Sequence, residues 1–316
     1  MRWNPLSAIY GGVVGARNAL YDRRWLRSRS LQGPVISVGN LSVGGSGKTP
    51  FVILLGELLK ARGVKFDVLS RGYGRATHGV LPVDPGGLSR DLGDEPLLIA
   101  RRLQAPVIVG EDRYDAGRFA EAQFGPQIHL LDDGFQHRGL ARDFEIVLVT
   151  PDDARDRLLP GGRLREPLRS LQRADAVVLT SGASSESFPV AGKMVWRVRR
   201  GITPQNVPPR PVAFCGIARP QNFMLQLRAA GIDPVAEAFF RDHHAYAEKD
   251  VNDLLQLQRQ SEAGGFVTTE KDAVNLGGYL AALTPLAVAR VKMELADAAN
   301  AVDTMLRVIE ERRRRS

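Results

Sequence analysis

One cysteine, Cys215, occurs in 316 residues. That scarcity excludes a disulfide framework and a cysteine-rich zinc site, and it fits a reducing compartment such as the cytoplasm. A lone cysteine of this kind reads as a small buried hydrophobe. No run of 18 apolar residues occurs, so no segment is expected to cross a bilayer as a helix, and no small-residue cleavage site of a signal peptide is present. Aromatic residues make up 7% of the chain and no basic stretch interleaves them, which argues against a nucleic-acid partner bound by base stacking. Internal repeats and long low-complexity segments are absent too.

What is present is 44% apolar content, enough for one large core or two modest ones, and the length favours two. The net charge of +8 belongs to the ends. Arg2, Arg17, Arg23, Arg24, Arg27 and Arg29 face only Asp22 within residues 1–30, and Arg312–Arg315 close the chain as what reads as a solvated tail. The basic N-terminal segment also carries Leu6, Ile9, Tyr10, Val13, Val14, Leu20, Tyr21 and Trp25 at near-helical spacing, with Trp3 and Trp25 near its two ends. This predicts an amphipathic helix over 1–30 lying in the interface of an anionic membrane; the alternative is a helix packed on its own domain. Gly11, Gly12 and Gly15 weaken such a helix in water, which favours a segment ordered by a surface.

Chemistry first enters at Val35–Asn40, a buried strand running into Leu41-Ser-Val-Gly-Gly-Ser-Gly-Lys48-Thr49-Pro50 and an apolar helix over 51–59. Gly44, Gly45, Ser46 and Gly47 allow backbone N–H groups to converge on a phosphate, Lys48 adds a mobile cation, and the Thr49 hydroxyl can ligate a magnesium ion. Ser42 stands where the phosphate-loop pattern has its first glycine, so an ordinary glycine-rich strand-to-helix turn stays open as an alternative.

Further strands are predicted at 66–69, 106–109, 128–131, 145–149 and 176–180, alternating with helical stretches. Motifs recur where these strands end, as in a largely parallel α/β sheet with its site along the carboxyl edge. The chain loosens between Ser181 and Pro211 around a strand at 193–198. A second α/β set then begins at Pro211, with strands at 265–268 and 286–290 and a closing helix over 297–311. The expected organisation is the N-terminal helix over 1–30, a P-loop core domain over 31–187, a linker over 188–210 and a smaller α/β domain over 211–316.

Asp132 and Asp133 follow an apolar strand, as magnesium-holding carboxylates do, and a turn capped with Gly134 explains them as well. Asp94 and Glu95 precede a helix that either could cap. With five histidines in all, His243 and His244 beside Asp242 stand out as a carboxylate–imidazole proton relay, or as a capped helix start. Arg113 and the Arg165-Glu166 turn are candidate phosphate clamps or surface loops.

Eight ordered strings resemble one family, the tetraacyldisaccharide 4′-kinases of lipid A synthesis in Gram-negative bacteria. They are Gly39–Pro50, Ser70–Arg75, Gly93–Pro96, Asp132–His137, Leu158–Pro167, Phe214–Pro220, Asp242–Tyr246 and Thr268–Asp272. The resemblance implies a P-loop NTPase-type sheet domain joined to a smaller α/β domain by a two-stranded linker. It implies transfer of the ATP γ-phosphoryl group to the 4′-hydroxyl of a membrane-embedded tetraacyldisaccharide 1-phosphate. The location would be the cytoplasmic face of the inner membrane, with peripheral attachment and no obligate protein partner. Carried onto this chain, Lys48 would hold phosphates and Thr49 with Asp132 or Asp133, joined by Glu95, would hold magnesium. Asp94 would be the base, oriented by His243 in preference to His244, and Arg113, Gln136, His137, Arg165 and Glu166 would surround the nucleotide. A kinase for a soluble metabolite and a nucleotide-dependent membrane switch are the competing expectations; Thr269-Glu-Lys-Asp272 is a poor echo of a guanine-recognition signal.

Overall fold

The computed structural model describes residues 5–315, so Arg2 and Trp3 of the expected N-terminal helix lie outside the described residues. The chain opens with α1 (Pro5–Asp22), β1 (Val35–Asn40), α2 (Lys48–Lys60) and β2 (Phe66–Ser70). It continues through β3 (Leu81–Pro82), α3 (Ser89–Leu92), α4 (Asp94–Leu103), β4 (Val107–Val109), α5 (Arg113–Phe124), β5 (Ile128–Asp132), β6 (Phe144–Val149) and β7 (Ala176–Leu179). Then follow β8 (Met194–Thr203), β9 (Val212–Cys215), α6 (Pro220–Ala229), β10 (Ala236–Phe239), α7 (Glu248–Gln260), β11 (Phe266–Thr269), α8 (Glu270–Leu276), β12 (Leu286–Leu295) and α9 (Ala298–Arg315).

Among the described residues the strands form one twelve-stranded sheet in the order β10-β9-β11-β12-β8-β7-β6-β1-β5-β2-β4-β3. Pairing is parallel except at β8–β12 and β3–β4. The central strands β1, β2, β5 and β6 are buried along their whole length, which is why they are rich in apolar residues despite Ser37, Asp67, His129 and Glu145 within them. β8 and β12 join the two halves. The first part of β8 runs parallel to β7, and its continuation from Val198 to Thr203 pairs antiparallel with Leu295 to Arg290. The sequence suggests a loose linker beyond residue 198, yet the backbone there is satisfied by this ladder, so both strands run longer than their apolar patterns.

A second difference concerns α9, expected to close the smaller domain. Its apolar face, Ala301, Val302, Met305 and Ile309, packs in the same core as Phe51, Leu55 and Phe144 of the first half. Arg312 and Arg313 reach Asp175 and Asp143 at 2.6 and 2.7 Å, so the basic run does not begin as a free tail. Surface pairs of this kind contribute little, and the buried face fixes the helix. Residues 298–315 therefore belong to the first core rather than to a unit spanning 211–316.

β1 passes beneath the chain at Phe135, and only a glycine allows it. A Cβ on Gly39 would stand 2.5 Å from Phe135 Cβ and 2.7 Å from its backbone nitrogen. Gly39→Ala is expected to cost about 2 kcal/mol or more, since neither partner is the flexible end of a side chain. A lowered urea midpoint with unchanged slope is the readout; an unchanged midpoint contradicts the close approach.

Candidate active site

The turn between β1 and α2 holds Gly44 and Gly47 at φ +92° and +87°, a left-handed conformation that suits glycine. A Cβ added at Gly44 or Gly45 would meet nothing within 4 Å, so the loop lines open space. Ser42 is buried and is not among the residues with positive φ, so a side chain is tolerated at this departure from the glycine pattern. The Asn40 amide donates to Ser42 O and Ser46 Oγ, both at 2.7 Å, and this fastens the loop to the strand. Lys48 Nζ donates to Asn40 Oδ1 at 2.9 Å and lies 3.5 Å from Asp133 Oδ1.

Asp132 and Asp133 lie at the end of β5 with contrasting environments. Asp133 is gripped by the Arg165 guanidinium at 2.7 and 3.0 Å; burial alone would raise its pKa, but Lys48 and Arg165 outweigh it and keep the carboxyl strongly acidic. Asp132 accepts from Ser70 Oγ at 3.2 Å through Oδ2, while its buried Oδ1 has no partner. Burial, then the charges of Glu95 and Asp133, push it up to about 7. A buried, unpartnered carboxylate oxygen among repelling carboxylates fits a hard divalent cation. No group of three or more His, Cys, Asp or Glu side chains forms a complete cage among the described residues, and a magnesium ion that shares its ligands with phosphates and water needs none.

Asp94 begins α4 directly after Gly93, whose φ is +89°. Its Oδ1 accepts from the Glu95 amide at 2.8 Å. Oδ2 lies 2.8 Å from His243 Nδ1, 3.3 Å from Asn275 Nδ2 and 3.5 Å from Lys271 Nζ. Burial alone would raise the Asp94 pKa, but the hydrogen bond to His243 and the Lys271 charge bring it below the ordinary aspartate value. The Asp94 hydrogen bond in turn raises His243 against the opposing effect of its burial. His243 itself sits at φ +56° in the turn after β10, next to the Tyr73 ring. His244 points elsewhere, bonded to Asp250 at 2.9 Å and stacked on Phe240.

These groups line one cleft of about 1250 Å³ between the two halves of the sheet. The phosphate loop, Thr49, Asp94, Glu95, Arg113, Asp132, Asp133, Gln136, His137 and Arg165 form one wall, and Arg200, Arg219, His243 and Lys271 stand on the other. Burial, then the cations Arg113 and Arg142, push His137 down to about 4, so it is neutral. Glu166 is the exception to the expected shell. It is not part of the cleft wall; it is buried against Arg173 at 2.9 and 3.0 Å and accepts from Asn18 of α1 at 2.7 Å. The residues missed from sequence are Lys271, Asn275 and Arg200. Lys271 falls inside the Thr268–Asp272 string, but Thr269 caps α8 there through the Asp272 amide, so the string also reads as an ordinary helix start.

A family model described as LpxK, tetraacyldisaccharide-1-P 4′-kinase, matches residues 2–310. The chain belongs to the tetraacyldisaccharide 4′-kinase family. A tetraacyldisaccharide 4′-kinase of Koribacter versatilis is 52% identical over 319 residues, covering 98% of this chain and 99% of that one. The Aquifex aeolicus tetraacyldisaccharide 4′-kinase is 39% identical over 292 residues, covering 87% and 89%. A crystal structure of Aquifex aeolicus LpxK in complex with ATP matches with a TM-score of 0.80 at 35% identity, covering 96% of this chain and 98% of that one. The α/β fold of the tetraacyldisaccharide 4′-kinase family is thus present over nearly the whole chain. Membership places it among kinases of lipid A biosynthesis, rather than among soluble-metabolite kinases or non-catalytic switches.

Proposed function

We propose that this chain transfers the γ-phosphoryl group of ATP to the 4′-hydroxyl of tetraacyldisaccharide 1-phosphate, working from the cytoplasmic face of the inner membrane. The observation that carries the residue assignment is the Asp94–His243 pair, which joins the two walls of the cleft that also contains the Lys48 loop. Phosphoryl transfer asks a protein mainly for positioning and charge neutralisation. The loop amides hold the β- and γ-phosphates, and Lys48 leaves Asp133 and Asn40 to join them. Asp94, kept ionised by His243 and Lys271, accepts the proton of the 4′-hydroxyl, and His243 fixes the carboxylate's orientation across the cleft. Thr49 and Asp132, with Glu95 or Asp133, would hold a magnesium ion, which would neutralise phosphate charge. The direct test supplies the full chain with ATP, magnesium and purified tetraacyldisaccharide 1-phosphate. The expected product is the acceptor heavier by one phosphate, and ATP turnover without that product contradicts the reading.

The acceptor's acyl chains stay in the bilayer, so the enzyme has to come to the surface. α1 supports this: Leu6, Ile9 and Val13 share one outward face at 59, 63 and 64% exposure, and Trp25 follows at 74% with Arg23, Arg24 and Arg27 around it. The rest of the helix is bound down by Ser7 to Leu158 O, Tyr10 to Arg165 O and Asn18 to Glu166. No helix among the described residues is long and apolar enough to cross a membrane. The double change Ile9→Asp with Val13→Asp is expected to abolish flotation with anionic liposomes while leaving the unfolding midpoint unchanged, because both side chains are exposed. Undiminished flotation would remove α1 as the anchor.

A further inference from the structure

β8 and β12 present two pairs toward the cleft: Arg200 opposite Met293 and Ile202 opposite Val291. Cross-strand partners lie on the same face of a sheet. The Met293 methyl ends 3.3 Å from where a Cβ on Gly47 would stand, so this part of the far wall abuts the phosphate loop. Arg200 therefore belongs to the stretch of far wall that stands against the loop carrying Lys48. Among the described residues no carboxylate pairs with it. Arg200 remains open to the cleft's solvent, and the protein around it, then the like charge of Arg219, lower its pKa. Arg219, at the start of α6, is only partly compensated: its Nη1 lies 3.1 Å from Asp152 Oδ2, a carboxylate that Arg163 also approaches at 3.3 Å.

We propose that Arg200, with Arg219 beside it, is the far wall's receptor for the terminal phosphate of the nucleotide held by the Lys48 loop. The inference rests on the kinase reading above and adds the group that engages ATP from the opposite side. A loop at a helix N-terminus grips the phosphates from below, and a planar guanidinium facing it takes two oxygens of the outermost one. In the transfer itself the 4′-oxygen forms a bond to the γ-phosphorus, the bond from that phosphorus to the β,γ-bridging oxygen breaks, ADP leaves, and the hydroxyl proton passes to Asp94. Arg200 stays with the moving phosphoryl group and neutralises the charge on its oxygens.

The test is calorimetric titration of the full chain with ADP and with a non-hydrolysable ATP analogue, followed by steady-state kinetics. A charged hydrogen bond lost to the terminal phosphate predicts that Arg200→Met weakens the ATP analogue about tenfold or more, with ADP affinity held. Its kcat falls and its KM for the acceptor is unchanged. Arg200→Lys recovers part of the loss if charge is what matters, and Arg219→Met gives a smaller effect of the same kind. Equal weakening of ADP and the analogue, or no weakening of either, overturns the proposal. So does a raised acceptor KM with nucleotide binding intact, which would assign the guanidinium to the acceptor's own phosphate. A wild-type chain that binds no ATP or makes no phosphorylated disaccharide instead refutes the kinase reading.

Discussion

Asp94→Asn is expected to slow phosphoryl transfer by about 10²- to 10⁴-fold, the usual range for removal of a positioned general base, with ATP affinity unchanged. The substitution keeps size and a hydrogen-bond acceptor for the Glu95 amide, so a lost rate cannot be blamed on a lost fold. Its companion is a pH profile. Asp94 must be ionised to accept a proton, and its pKa is a balance in which burial raises it while His243 and then Lys271 bring it down further. Removing the imidazole in His243→Ala takes away the largest of the downward influences and leaves the burial. The Asp94 pKa then rises, and the acidic limb of kcat moves to higher pH, with the plateau rate also reduced. A full-rate Asp94→Asn enzyme, or an acidic limb that stays in place without His243, contradicts the assigned base.

Lys48→Ala is the second large effect, and it acts twice. Lys48 carries the charge that meets the β- and γ-phosphates, a role whose removal costs about 10²- to 10³-fold in kcat for preorganised electrostatic groups. It also supplies one of the two cations that hold Asp133 ionised, the other being Arg165. Both nucleotide affinity and kcat are expected to fall, unlike the Asp94 variant, in which only the rate falls. Calorimetry with ATP beside steady-state turnover separates the two patterns, and a Lys48→Ala enzyme with normal kcat would contradict the placement of the phosphates.

The parallel core was legible because β1, β2, β5, β6 and β7 are buried on both faces and so are short segments dominated by apolar residues, with Ser37, Asp67, His129 and Glu145 as interruptions. β10 was missed for the converse reason: Ala236–Phe239 is only partly buried and carries no clear pattern. Periodicity told that α9 has an apolar face, but not which of two cores receives it. At the site, the phosphate loop, Asp94, the aspartates after β5 and His243 were recognisable because each sits in a short local string. Lys271 and Arg200 were not, since a surface lysine or arginine is ordinary in sequence and their meaning comes from what stands across the cleft. The neighbours Arg165 and Glu166 illustrate the limit of reading strings. One reaches Asp133 at the phosphate loop and the other turns to Arg173 and α1, as adjacent side chains on a non-helical segment do.

The return of α9 to the first core also bears on how the molecule is made. The strands around the phosphate loop leave the ribosome early, yet Phe51, Leu55 and Phe144 share their core with Val302, Met305 and Ile309, which emerge roughly 150 to 250 residues later at about 5 to 20 residues per second. For that interval, on the order of ten seconds or more, the apolar face of α2 waits without its final cover. The second half of the sheet folds as an interruption of the first, and completion of the nucleotide-binding core is deferred until the interrupting segment has been threaded out. A nascent chain stalled before residue 298 should therefore be a ready client for a holding chaperone, and one stalled far enough beyond 309 for that residue to clear the exit tunnel should not.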